Sequence, residues 1–303
     1  AQLKKRGIRV FYFIPPQVWA TRKGRIRKIQ RNVDHVFCIF PFEEALYQSH
    51  GVPVTYVGHP LVGELPPAVD REAFCREHKL DPHLPILGLF PGSRKLEIEF
   101  LLKDIIGSLP LILQQHAHIQ FVLAKAGSLD DAYFNRRLQA ALERLPRYQR
   151  PVVRVLENLN HALLSVADVA ILASGTVTLE AALYQTPMIL IYRLQPLVYW
   201  IAMKMLYLPC IGLPNILTDR KTPIVQELLQ DSITPRRICE AVLPLFDPTS
   251  PQVVRQRAGF KQIRESLNQG GAPANVAQGI LTLLSQSAEQ PAENPEPVAL
   301  ERS

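Results

Sequence analysis

Two short stretches combine residue types suited to holding phosphate. Gly92-Ser93-Arg94 follows the apolar run Pro85-Ile86-Leu87-Gly88-Leu89-Phe90, and Ser174-Gly175-Thr176 follows Val169 to Leu172. In each, glycine lets an anion approach the backbone, and the helix expected next begins with N–H groups that have no partner inside it. Arg94 adds a rigid fork of donors, while Ser174 and Thr176 add hydroxyls. Glu180, one turn further on, is placed to accept hydrogen bonds from a ribose diol. Taken singly, either stretch also reads as an ordinary turn or helix cap, and Glu180 as a solvated carboxylate. Two such loops in one domain are the more specific signal.

The elements that would position these residues are legible as alternating patterns. Val169 to Leu172 and Met188 to Tyr192 are short β-branched runs flanking a helical stretch from about Val177 to Tyr184, which is a strand–helix–strand unit of a parallel sheet. Pro85 to Phe90, Ile119 to Ala124 and Val152 to Val155 read as further strands. A helix from about Glu97 to His116 and another from Asn160 to Val166 complete a βαβ array. Upstream, Ile8 to Phe13, Val33 to Phe40 and Val52 to Val57 alternate with helical patterns over Thr21 to Arg31 and Pro41 to His50, giving the latter part of a first α/β domain. The fold class is therefore α/β, with two Rossmann-like doubly wound domains, the first incomplete. Leu65-Pro66-Pro67-Ala68 reads as the hinge, so 1–65 and 66–248 are the two domains. Residues 249–286 read as C-terminal helices packing back across them, and 287–303, rich in Pro and Glu, as a disordered tail. Glu227 is placed on a helix following Pro214-Asn215.

Composition bounds the function. With 303 residues, 47% of them hydrophobic, the chain has room for two cores. Its mean hydropathy of +0.03 suits a soluble globular protein. Cys38, Cys75, Cys210 and Cys239 are far apart and have no metal-ligand spacing, so they read as reduced thiols, and no metal site is expected. The formal charge of +7 is concentrated: residues 1–33 hold ten Lys and Arg and no Asp or Glu. Such local basicity suits a phosphate-bearing surface, either anionic lipid or nucleic acid. Because the aromatics Phe11, Tyr12, Phe13 and Trp19 precede the charge run and are not interleaved with it, lipid is preferred to nucleic acid. Leu194 to Leu213 is apolar but broken by Pro196, Lys204 and Pro209, too interrupted to span a membrane. It reads either as a buried helix or as a surface meeting acyl chains, with Trp200 and Met203 toward lipid and Lys204 at head-group level. The cationic residues on the same account are Arg22, Lys23 and Arg25.

Several stretches, in order across nearly the whole chain, resemble the lipid-A-disaccharide synthases, glycosyltransferases of GT-B architecture. They are YFIPPQVWATRKGRIRKI, FPFEEALY with VTYVGHPL, LFPGSRKLEIE, ADVAILASGTVTLEAAL, PMILIYRLQP, and LPNILTDR with VQELLQ. The resemblance implies transfer of a diacylated glucosamine from its UDP carrier to the 6-hydroxyl of a diacylated glucosamine 1-phosphate, giving a β-1,6 disaccharide and UDP. It implies a UDP-sugar site made of Gly92, Ser93, Arg94, Ser174, Gly175, Thr176, Glu180, Asn215 and Glu227, with Arg94 and Asn215 catalytic. It implies no cofactor, a location peripheral to the inner membrane on the cytoplasmic side, no nucleic-acid partner, and leaves a homodimer open. Family members carry roughly a hundred residues more at the start, including an early Ser-Gly-Asp stretch and the acidic residue thought to act as general base. Neither is in this sequence, so a missing upstream segment and impaired activity are expected. The rival readings are another GT-B UDP-sugar enzyme, such as a peptidoglycan-precursor transferase or an epimerase, and a chain that folds without catalysing.

Overall fold

The computed structural model describes residues 2–16, 18, 24–195, 210–218, 221–267 and 270–288. Two compact units emerge. One consists of the described parts of Ala1–Pro16, Lys23–Gly63 and Gln269–Ser303; the other of the described parts of Gln17–Arg22 and Glu64–Asn268. The boundary thus falls at Gly63, just ahead of the prolines read as the hinge.

The first unit holds three parallel strands, β1 (Phe11–Phe13), β2 (His35–Cys38) and β3 (Val54–Tyr56), in that order. β1 is shorter than the apolar run from Ile8 suggests. Helix Gly24–Asn32 connects β1 to β2; it buries Ile26 and Ile29, three apart, and leaves Arg25, Arg27 and Lys28 exposed. That division follows from helical periodicity, which places residues three apart on one face. Helix Pro41–Gln48 connects β2 to β3, with Pro41 at its first turn. The last helix, Ala272–Ala288, packs Val276, Ile280 and Leu283 against Phe37 and Val57. It runs into the segment read as a disordered tail, whose remainder lies outside the described residues.

The second unit is a six-stranded, wholly parallel sheet in the order β6-β5-β4-β7-β8-β9. Its strands are β4 (Ile86–Phe90), β5 (Gln120–Lys125), β6 (Val153–Glu157), β7 (Val169–Ala173), β8 (Met188–Tyr192) and β9 (Gln226–Leu229). All residues of β4 and β7 are buried, as expected for central strands covered on both faces. Helix Lys95–Gln115 covers one face by burying Leu101, Leu102, Ile105, Ile106, Leu109 and Ile112, the three-and-four spacing of an apolar stripe. Each such side chain contributes about 1.5–3 kcal/mol on burial. Helix Pro251–Leu267 belongs to this unit, so the C-terminal helices read over 249–286 are divided between the two units. Its Gln256 pairs with both the N–H and the C=O of Met188, at 2.8 and 2.9 Å, tying the helix to the start of β8.

Helix Asp131–Glu143 has no counterpart among the elements expected from sequence, and Glu227, expected on a helix, lies on β9. Gln-Glu-Leu-Leu is a good helix-forming string, but its backbone completes the ladder against β8 and its carboxylate is bonded in place there. Tertiary pairing overrides local propensity.

Candidate functional site

The strand order fixes where ligand-binding loops meet. From β4 the chain winds outward through β5 and β6, then returns to β7 on the other flank of β4 and continues through β8 and β9. β4 and β7 are therefore neighbours whose following loops diverge, which opens a crevice at their carboxyl ends. The loop after β4 is Pro91-Gly92-Ser93-Arg94 and the loop after β7 is Ser174-Gly175-Thr176. Both line a single cavity of about 370 Å³. Glu180 and Asn160 also face it.

The two turns are built differently. After β7, Thr178 closes the turn, its N–H and Oγ both donating to the carbonyl of Gly175 at 3.2 and 2.8 Å. The N–H groups of Gly175, Thr176 and Val177 have no acceptor among the described residues, and these three residues line the cavity. After β4, Gly92 takes φ 108°, and a Cβ there would run into the carboxylate of Glu97. That carboxylate accepts from the N–H groups of Ser93 and Arg94 at 2.8 and 3.1 Å, a capping box on helix Lys95–Gln115. Two of the backbone donors at this turn, the N–H groups of Ser93 and Arg94, are thus already bonded. What the turn offers is the guanidinium of Arg94, 83% exposed and 3.6 Å from Glu97. Tyr192, at the end of β8, senses the same pair: burial and Glu97 raise its phenol, while Arg94 lowers it.

Glu180 is largely buried, with its side chain 14% exposed and His161 Nδ1 3.8 Å from its carboxylate. Burial raises its pKa above the ordinary value, and His161 opposes the rise. Such a carboxylate, at the cavity wall and short of partners, is suited to accept hydroxyl hydrogens.

Asn215 and Glu227 are not brought to this cavity. Asn215 is fully buried; its amide donates to Val225 O and Glu227 at 2.9 and 2.7 Å, and its oxygen accepts from Val225 N at 2.9 Å. Glu227 also accepts from Ile211 and Gly212 N–H at 3.0 and 2.9 Å. Glu227 stands opposite Leu190, two residues short of the end of β8 and so below the rim of the sheet. The pair pins the segment around Gly212 to β9. His59 serves locally: its Nδ1 accepts from Leu61 N–H at 3.2 Å, its ring lies 5.2 Å from that of Phe40, and burial pushes its pKa down to about 4.

Of the residues assigned to lipid contact, Arg25 is exposed on its helix, while Arg22, Lys23, Trp200, Met203 and Lys204 lie outside the described residues. No helix among the described residues is long and apolar enough to cross a membrane. Nor do three or more His, Cys, Asp or Glu side chains gather there as metal ligands. All four cysteines are buried, and Cys38 is pushed up to about 12 by burial and the nearby Glu43 and Glu44.

Sequence reasoning misses Glu97, His161, Asn160 and Arg193. Glu97 was detectable, being three residues after the helix start, where a glutamate caps. Arg193 follows β8 and donates to Phe100 O, Asp104, Gln230 O and Ile233 O, locking the ends of β8 and β9 to the long helix.

A doubly wound parallel sheet with two Gly/Ser turns at its crossover, accompanied by a second parallel α/β unit, is an architecture of the GT-B type. The chain is similar in fold to the S. aureus MnaA–UDP co-structure, with a TM-score of 0.61 and 11% identity over 97% of this chain and 74% of that one. It is likewise similar to sucrose-phosphate synthase from Thermosynechococcus elongatus, with a TM-score of 0.53 and 17% identity over 95% and 70%. The profile of the lipid-A-disaccharide synthetase family matches residues 1–276. Lipid-A-disaccharide synthase of Coxiella burnetii (strain CbuG_Q212) is 40% identical over 284 residues, 93% of this chain and 72% of that protein. The chain belongs to the lipid-A-disaccharide synthase family and is a glycosyltransferase of the hexosyltransferase type. The family match favours this assignment over a peptidoglycan-precursor transferase or an epimerase.

Proposed function

We propose that the cavity between the Arg94 and Ser174 turns holds the diphosphate of UDP-2,3-diacylglucosamine, and that the chain transfers the sugar to the 6-hydroxyl of 2,3-diacylglucosamine 1-phosphate. In that step the bond between the sugar C1 and the UDP oxygen breaks with its electron pair leaving on UDP, the acceptor oxygen forms the β-1,6 glycosidic bond to C1, and the acceptor proton passes to water. The products are the lipid A disaccharide 1-phosphate and UDP. The observation that carries the reading is that both turns open on one cavity.

The chemistry asked of these residues is stabilisation of charge on departing UDP. The open N–H groups at Gly175 and Thr176, the hydroxyls of Ser174 and Thr176, and the Arg94 guanidinium are donors aimed where that charge grows. Fixed donors of this kind contribute about 3 kcal/mol each when removal is measured in kcat. Glu180 takes the ribose diol. The step as drawn calls for no cofactor. Asn215 and Glu227 act through the segment they pin.

The acylated substrates imply work at a membrane surface, and we place the enzyme peripherally on the inner membrane, its cationic helix Gly24–Asn32 toward anionic lipid. Arg94→Ala should lower kcat/KM for transfer about 10–100-fold, the value of a hydrogen bond to a charged group, with the thermal midpoint unchanged because the side chain is exposed. Undiminished transfer by the folded variant would remove Arg94 from the site.

A further inference from the structure

Glu97 takes no part in the transfer step, yet it fills the place where a phosphate would be expected. One oxygen accepts from two successive backbone N–H groups, Ser93 and Arg94, at the start of a 21-residue helix. The glycine before them, at φ 108°, has its side-chain direction occupied by the same carboxylate. The other oxygen lies 3.6 Å from the Arg94 guanidinium. In an ordinary capping box the glutamate bonds only the N-cap N–H. Here the carboxylate also engages Ser93 and stands beside the exposed cation of the turn. Both residues line the cavity, but the carboxylate is only 18% exposed while Arg94 is 83% exposed, so the cation is the more accessible of the two.

We propose that Glu97 is a positioning residue that seals the backbone of this turn against phosphate and orients Arg94, so that the two turns divide the work. The turn after β7 supplies backbone donors to the diphosphate; the turn after β4, with its Ser93 and Arg94 N–H groups occupied, supplies the Arg94 side chain. A fixed negative charge behind Arg94 repels a free phosphate that reaches the turn, whereas a diphosphate anchored on Gly175 and Thr176 meets the guanidinium from the cavity side. The device discriminates nucleotide diphosphate from inorganic phosphate. The inference rests on the nucleotide-sugar reading for the identity of the intended ligand, but the state of the turn can be read without it.

Calorimetric titration of the full chain with inorganic phosphate, and separately with UDP, tests this. In Glu97→Ala, phosphate affinity should rise about tenfold as two N–H groups and Arg94 become available, while UDP affinity falls severalfold. In Glu97→Gln, which keeps an oxygen in the turn but loses the charge, phosphate affinity should rise about threefold. A carboxylate that merely caps the helix would lower the thermal midpoint without moving the two affinities in opposite directions. Unchanged phosphate affinity in either folded variant overturns the proposal. Absence of UDP binding by the unsubstituted chain would count against the nucleotide reading and leave the phosphate comparison intact.

Discussion

Glu180 carries two conflicting demands. Burial raises its pKa, so ionising it costs the folded state more than the unfolded one. A carboxylate whose folded pKa is raised contributes stability that is present at acid pH and lost as pH rises through the folded value. At neutral pH the charge is therefore a burden on the fold, one that the proposed contact with the ribose diol accounts for. Glu180→Gln should raise the thermal midpoint at neutral pH and weaken UDP binding about tenfold. The unsubstituted protein should lose UDP affinity on acidification, starting at higher pH than an ordinary glutamate would give, because protonation removes an acceptor of the ribose diol. The variant should show no such limb. Titration of both proteins with UDP across the acid range, alongside thermal melts, checks the signs. His161, 3.8 Å away, favours the ionised carboxylate, so its removal should push the limb to still higher pH.

At the scale of elements, the ends of β8 and β9 are held to the long helix by a lock rather than by packing alone. Arg193 donates to three carbonyls and to Asp104 at 2.7 Å, with both charged side chains mostly buried. Deleting it removes the partner of Asp104 and the donors to the carbonyls that follow β9 and to Phe100 on the long helix. Arg193→Ala should lower unfolding free energy by about 3 kcal/mol, the usual cost of breaking a buried pair, as measured by urea denaturation. Elements of this kind explain what could be read from the sequence. β4, β7 and β8 are continuous apolar runs, and β4 and β7 lead into Gly or Ser, so the strands and the location of both turns are legible from residue order alone. β9 is not, because the strand character of Gln226–Leu229 lies in the ladder to β8 and in the donors that satisfy Glu227. The sealed state of the Arg94 turn is half legible: the spacing of Glu97 announces a cap, but not a second bond to Ser93. Asn160 and His161 carry no local signal. They reach the site only because β6 ends on the same edge of the sheet as β4 and β7.

For the molecule as a whole, the charge distribution agrees with the acylated substrates proposed for it. The excess of Lys and Arg lies in residues 1–33, and the helix Gly24–Asn32 turns its isoleucines inward and its cations outward. Reversing Arg25 and Arg27 to Glu should cut binding to vesicles rich in anionic lipid about tenfold at low salt and leave binding to neutral vesicles unchanged. A co-sedimentation assay reads both. The central claim is that one ligand touches both turns at the β4–β7 crossover, and the crystal structure of the chain with UDP tests it most directly. The account predicts diphosphate oxygens within hydrogen-bond distance of the Thr176 N–H and of the Arg94 guanidinium in the same molecule, with Glu97 still bonded to Ser93. A nucleotide bound away from the Ser174 turn, or one that leaves Arg94 untouched in solvent, would contradict it.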